Sequence, residues 1–176
     1  MWRHVSIAAL CLIVVASAAR GDESNATKIQ RALAAGPTWI RAHAAVVMYD
    51  SHGKPSVLRR GTNGFTCVPG TPGVIGDDPM CMDAQGTAWV QSLMAHATNP
   101  ANSAPGVVYL LTGGTSWGVA DPWATNGQAL HYPPCMMIVW PFAPKTTGFK
   151  SQFSTTGPWI MWAGTPYAHL MVMGKP

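Results

Sequence analysis

The chain has 176 residues and a formal net charge of +4, yet only 10% of its residues are charged, against roughly 25% in ordinary globular domains. Eight Trp, ten Met and a hydrophobic content of 48% exclude a disordered chain, because so much apolar surface is costly to leave in water. Apart from Arg59-Arg60 the basic residues are scattered, which excludes the basic stripe of a nucleic-acid binder and the basic amphipathic helix of a membrane-surface protein.

In chain order, the first element is a leader. Met1-Trp2-Arg3-His4 is a short positive start, residues 5–15 are uncharged and strongly apolar, and Ala16-Ser17-Ala18 has the small-residue pattern that signal peptidase accepts. Residues 1–18 are therefore expected to be a signal peptide. The apolar run is shorter than the roughly 20 residues needed to span a bilayer, and Gly, Pro or a polar residue interrupts every later one. The expectation is a single globular domain over residues 19–176, periplasmic or secreted, with no membrane contact once the leader is gone.

Residues 25–35 predict a helix, with Ile29, Ala32 and Leu33 on one face, Ser24 or Asp22 as its cap and Gly36-Pro37 as its stop. Residues 44–49 and 56–60 predict two strands around the turn residues Asp50 to Lys54, hence a hairpin. The turn at residues 61–64 delivers Phe65-Thr66-Cys67. Asp83 is placed to cap a second helix over residues 84–97, where Trp89, Val90, Leu93, Met94 and Ala97 recur at helical spacing. Residues 106–111 and 135–140 predict strands on either side of a long stretch rich in Gly, Pro and Trp, residues 112–134. Residues 158–163 and 168–173 flank the turn Gly164-Thr165-Pro166-Tyr167 as a closing hairpin. The sum is an α+β fold: a mainly antiparallel sheet of about five or six strands with two helices packed on one face.

With Cys11 in the leader, Cys67, Cys81 and Cys135 remain. In an oxidising compartment Cys67 and Cys81 are expected to pair, closing a Pro- and Gly-rich loop and contributing about 3 kcal/mol through the lost entropy of the unfolded chain. Cys135 is then the odd thiol.

Gly61-Thr62-Asn63-Gly64-Phe65-Thr66-Cys67, Asp78-Pro79-Met80-Cys81 and above all the closing segment Gly157-Pro158-Trp159-Ile160-Met161-Trp162-Ala163-Gly164-Thr165-Pro166-Tyr167-Ala168-His169-Leu170-Met171 resemble a family of small secreted bacterial proteins of uncharacterised function. The resemblance covers most of residues 19–176. It implies a bacterial, periplasmic origin and supplies no activity.

Four constellations carry candidate chemistry. Gly114-Thr115-Ser116-Trp117-Gly118 fits the G-x-S-x-G nucleophile elbow and follows a predicted strand, with Asp121 and then His131 or His169 in the required order. The candidate catalytic set is Ser116, Asp121 and His169, although Pro122 leaves no room for the helix that an elbow needs. The second is a soft-metal set, His131, Cys135 and His169: thiolate with imidazole suits zinc, and both with the Met thioethers suit copper. The third, Asp77 to Asp83, has oxygen ligands for calcium but not their spacing, and Asp83 has a plainer task as a helix cap. The fourth is aromatic recognition by Trp117, Trp123, Tyr132 and Trp140 in or beside the long stretch. A Cys135-His nucleophile is weakened by the apolar strand around the thiol, and paired Glu chemistry is excluded because Glu23 is the only Glu. The leading expectation is a binding protein that holds a small molecule or soft metal ion where residues 112–134 meet the sheet edge. A small serine hydrolase using Ser116 and an envelope interaction protein without a chemical site are the alternatives.

Overall fold

The computed structural model describes residues 23–50 and 53–174. The expected signal peptide lies outside the described residues. The first helix, α1 (Asn25–Ala34), starts where the Ser24 hydroxyl accepts a hydrogen bond from the Thr27 amide, satisfying one of the free N–H groups of the first turn. A single helical turn, α2 (Thr38–Arg41), follows Pro37. The strands β1 (Ala45–Tyr49) and β2 (Pro55–Arg59) form the expected hairpin. Next come β3 (Thr66–Val68) and β4 (Met80–Met82), and then α3 (Ala84–Met94), whose Gly86 amide donates to the Asp83 carboxylate at 2.7 Å, the predicted cap. The remaining elements are β5 (Gly106–Leu110), β6 (Gly114–Ser116), β7 (Leu130–Tyr132), β8 (Cys135–Val139), the short α4 (Pro144–Thr147), β9 (Trp159–Met161) and β10 (His169–Met173).

The main sheet has eight strands in the order β2-β1-β3-β4-β5-β8-β10-β9, and β6 and β7 form a separate two-stranded ribbon. Every neighbouring pair in the main sheet is antiparallel except β1 with β3. The α+β class and the antiparallel character agree with the sequence; the counts of five or six strands and of two helices do not, the extra helices being the four-residue turns α2 and α4. The additional strands, β3, β4, β6 and β7, are three residues long. Such short pieces show no period on their own and depend on their neighbours.

The placement of both helices on one face also needs correction. Paired residues share a face, so the register unites Leu110 with Cys135, Val108 with Met137, Met137 with Met171, and Met161 with His169. This face carries the main core, with Met82 and Val108 of the sheet buried against Trp89 of α3. The opposite face carries Val46, Cys67 and Cys81, which pack against Ala32 and Ala35 at the end of α1. The helices thus cover opposite faces. The strands alternate in direction of side chain but not in polarity, so neither face reads as solvated. Cys67 and Cys81 stand directly across β3 and β4, with Cα atoms 4.0 Å apart, and form the expected disulfide. Among the described residues no helix is long and apolar enough to cross a membrane.

Candidate functional site: an aromatic cavity beside α3

On the α3 side of the sheet lies a cavity of about 630 Å³, a volume typical of small-molecule sites. Leu110, Met137 and Met161 line it from the sheet, and Trp89, Val90 and Leu93 from α3. The connection from β5 to β8 supplies Ser116, Trp117 and Trp123, and the loop between β3 and β4 supplies Asp77 and Asp78. Residues 112–134 lie here over the central strands β5 and β8, not at the sheet edge where the sequence places them.

Its innermost wall is aromatic. Trp89 stacks on Trp162 with ring centroids 5.9 Å apart and planes within 9°. The imidazole of His169 stands edge-on to both, at 5.2 Å from Trp89 and 4.9 Å from Trp162. Further out, Trp123 stacks on His96 at 5.4 Å and donates its indole N–H to the Leu93 carbonyl at 3.1 Å. That bond ties the long connection to the last turn of α3. The Tyr167 hydroxyl donates to the Ala97 carbonyl at 2.8 Å and holds the same corner from the other side.

His169 has no exposed surface. Its Nδ1 lies 2.9 Å from the Tyr167 carbonyl oxygen, which can only accept, so Nδ1 carries the proton. In the neutral ring Nε2 is then a bare lone pair, and it has no partner. Burial lowers the pKa of His169 to about 4, with the Tyr167 hydrogen bond opposing, so the ring is neutral at physiological pH. The indole N–H groups of Trp162, on the same wall, and of Trp159, outside the cavity lining, are likewise buried without a partner. Buried polar groups are ordinarily paired, so the cavity wall holds two groups that a bound molecule would satisfy.

Backbone strain falls at the same place. Among the described residues only His96 and Trp162 have positive φ without being glycine, at 52° and 53°, and both line the cavity. His96 is the left-handed residue that ends α3, with the Ala97 amide donating to the Ser92 carbonyl at 3.0 Å; for Trp162 the conformation is costly and persists where the surroundings hold it.

The cavity brings Ser116, Asp121 and His169 onto one lining surface. Ser116, however, ends the short strand β6 rather than a strand-to-helix turn, and its hydroxyl donates to the Gly118 carbonyl at 3.1 Å. Asp121 accepts from the Trp123 amide at 2.9 Å, an ordinary turn contact. The soft-metal set is not gathered: His131 lines a separate hollow near Arg31 and Pro79, and Cys135 lines neither. Among the described residues no three His, Cys, Asp or Glu side chains group closely enough to hold a metal ion, and this also applies to the acidic run from Asp77 to Asp83. Asp78 spends its carboxylate on Thr115, accepting from its amide at 2.6 Å and from its hydroxyl at 3.1 Å. Desolvation nevertheless pushes the Asp78 pKa above its usual value, against those bonds.

No protein-family model, curated protein or solved structure matches the chain. The site is therefore read from its own chemistry. Of the aromatic residues expected to serve recognition, Trp117, Trp123 and Tyr132 do line the cavity, while Trp140 does not. Sequence reasoning missed Trp89 and Trp162, because a Trp at helical spacing and a Trp in a terminal strand both look like core. The signal for Trp162 was its place just before the turn at Gly164, where the chain must leave the strand abruptly.

Proposed function

We propose that the protein works outside the cytoplasm and binds a small organic molecule in the cavity beside α3. The observation that carries this reading is a preformed space of about 630 Å³ whose fully buried His169 has no partner for Nε2. A core histidine without a ligand would be expected to find a second partner. The Cys67–Cys81 disulfide supports the location. Ser116 is a contact residue in this reading rather than a nucleophile, since its proton is already committed to Gly118.

The test is direct. Nile red, an uncharged dye that brightens in apolar surroundings, should bind the purified protein. Leu93→Trp, which fills the cavity from the half-buried wall of α3, should weaken that binding at least about tenfold, a loss of about 1.4 kcal/mol. Absence of dye binding, or equal binding by the variant, would overturn the reading.

A soft monovalent metal is the second reading. His169 Nε2 faces no partner, Met161 pairs with His169 across the strands, and Met80 and Met137 line the same cavity. Imidazole with thioethers suits copper(I), and a histidine whose Nδ1–H is fixed by a carbonyl is oriented as metal ligands commonly are. Retention of copper(I) that disappears in His169→Ala, with Nile red excluded by the metal, would favour it.

A further inference from the structure

We infer that the molecule bound in the cavity is a small organic cation, a protonated amine carrying an apolar group; this rests on the cavity being a binding site. The chain is basic overall, with 11 Lys and Arg against 7 Asp and Glu. The cavity inverts that balance. Asp50, Asp77, Asp78 and Asp121 line it, four of the seven acidic residues, and among the described residues no Lys or Arg does. Asp50, Asp77 and Asp121 are exposed and Asp78 is half-buried, whereas His169 and Trp89 are fully or almost fully buried. Negative charge therefore sits towards solvent and aromatic rings lie inside. Carboxylates around a concave, low-dielectric mouth raise the local concentration of cations and repel anions.

The interior fits the same ligand. Trp89, Trp117, Trp123 and Trp162 all line the cavity, and indole faces attract ammonium groups more strongly than other aromatics do. The second, independent observation is His169. It is fully buried, its Nδ1–H is committed to the Tyr167 carbonyl, and its Nε2 offers a lone pair with no partner. That atom can only accept, so the complementary group is an N–H donor. The unpartnered indole N–H of Trp162 takes an acceptor, which a hydroxyl or carbonyl elsewhere on the ligand supplies. A quaternary ammonium ion has no N–H for Nε2, and a carboxylate ligand would meet the acidic mouth.

Three probes of one shape separate the charge from the cavity: phenethylamine, phenethyl alcohol and phenylacetate, each titrated calorimetrically into the full chain without its leader, with Nile red binding measured in parallel. The amine should bind at least about tenfold more tightly than the alcohol, and phenylacetate should be the weakest. Asp77→Asn with Asp121→Asn, both exposed and nearly isosteric, should cut the preference for amine over alcohol about threefold or more, and about 1 M salt, where charges are screened beyond about 3 Å, should do the same. Equal binding of amine and alcohol, tighter binding of phenylacetate, no binding of the amine, or an unchanged preference in the double variant would each overturn the cation assignment. If Nile red still binds in those cases the cavity reading stands; if it does not, both fall.

Discussion

Cys135 lies in β8 with no exposed surface, and burial, helped by the charge on Asp78, pushes its thiol pKa up to about 12. The thiolate is the form that attacks, so burial works against a Cys-His nucleophile at this residue, and a zinc set is not assembled around it because among the described residues no three His, Cys, Asp or Glu side chains gather. Iodoacetamide should leave Cys135 unmodified in the native protein and label it fully in denaturant, as read by mass spectrometry of its peptide. Native labelling within minutes would show that the strand opens. His169 was a candidate in two sequence-based sets, and its role follows from which of its nitrogens is occupied. The Tyr167 carbonyl decides that, and the two-residue spacing between Tyr167 and His169 gives no sign of it before the turn is built.

Helix α3 reaches the sheet through two glycines. A Cβ on Gly106 would lie 2.3 Å from the Gly86 amide nitrogen, and one on Gly86 would lie 2.7 Å from the Val107 carbonyl oxygen. Backbone meets backbone there, so nothing flexible can give way. Gly106→Ala should destabilise the domain by about 1–3 kcal/mol, as overpacking does elsewhere, with the urea midpoint lowered. Gly157→Ala, where a Cβ meets nothing within 4 Å, is the control and should stay within about 0.5 kcal/mol of the parent. The close seat of α3 also sets the position of Trp89 and Leu93, and hence one wall of the cavity. Both capped helices were legible because Ser24 and Asp83 supply their missing hydrogen-bond partners locally. The ribbon of β6 and β7 was not: Thr115 is held by Asp78, 37 residues away in sequence. No local pattern announces such a bond.

At the scale of the whole molecule, pH reports on the buried histidine. The pKa of His169 falls from 6.5 to about 4 on folding, so between those values the unfolded chain binds a proton that the folded chain refuses. Its contribution to stability is full above about pH 6.5 and is lost as pH falls through this window, by about 3 kcal/mol. The raised Asp78 pKa acts in the opposite sense, because the folded state then takes up its proton first as pH falls. Urea unfolding from pH 7 to pH 4 should therefore show a steeper loss of stability for the parent than for His169→Gln, and equal slopes would refute the buried neutral imidazole. The leader-like start, the cystine pair, the capped helices and the hairpins follow from residues near one another along the chain, where turn chemistry, caps and loop entropy act. The α+β class follows from the same local signals. Which face each helix covers, the gathering of four aspartates around a cavity in a basic chain, and the stranded Nε2 of His169 depend on strand register and on contacts between distant segments. Those are decided by packing, which joins residues 50, 78, 121 and 169 only after the sheet has closed around them.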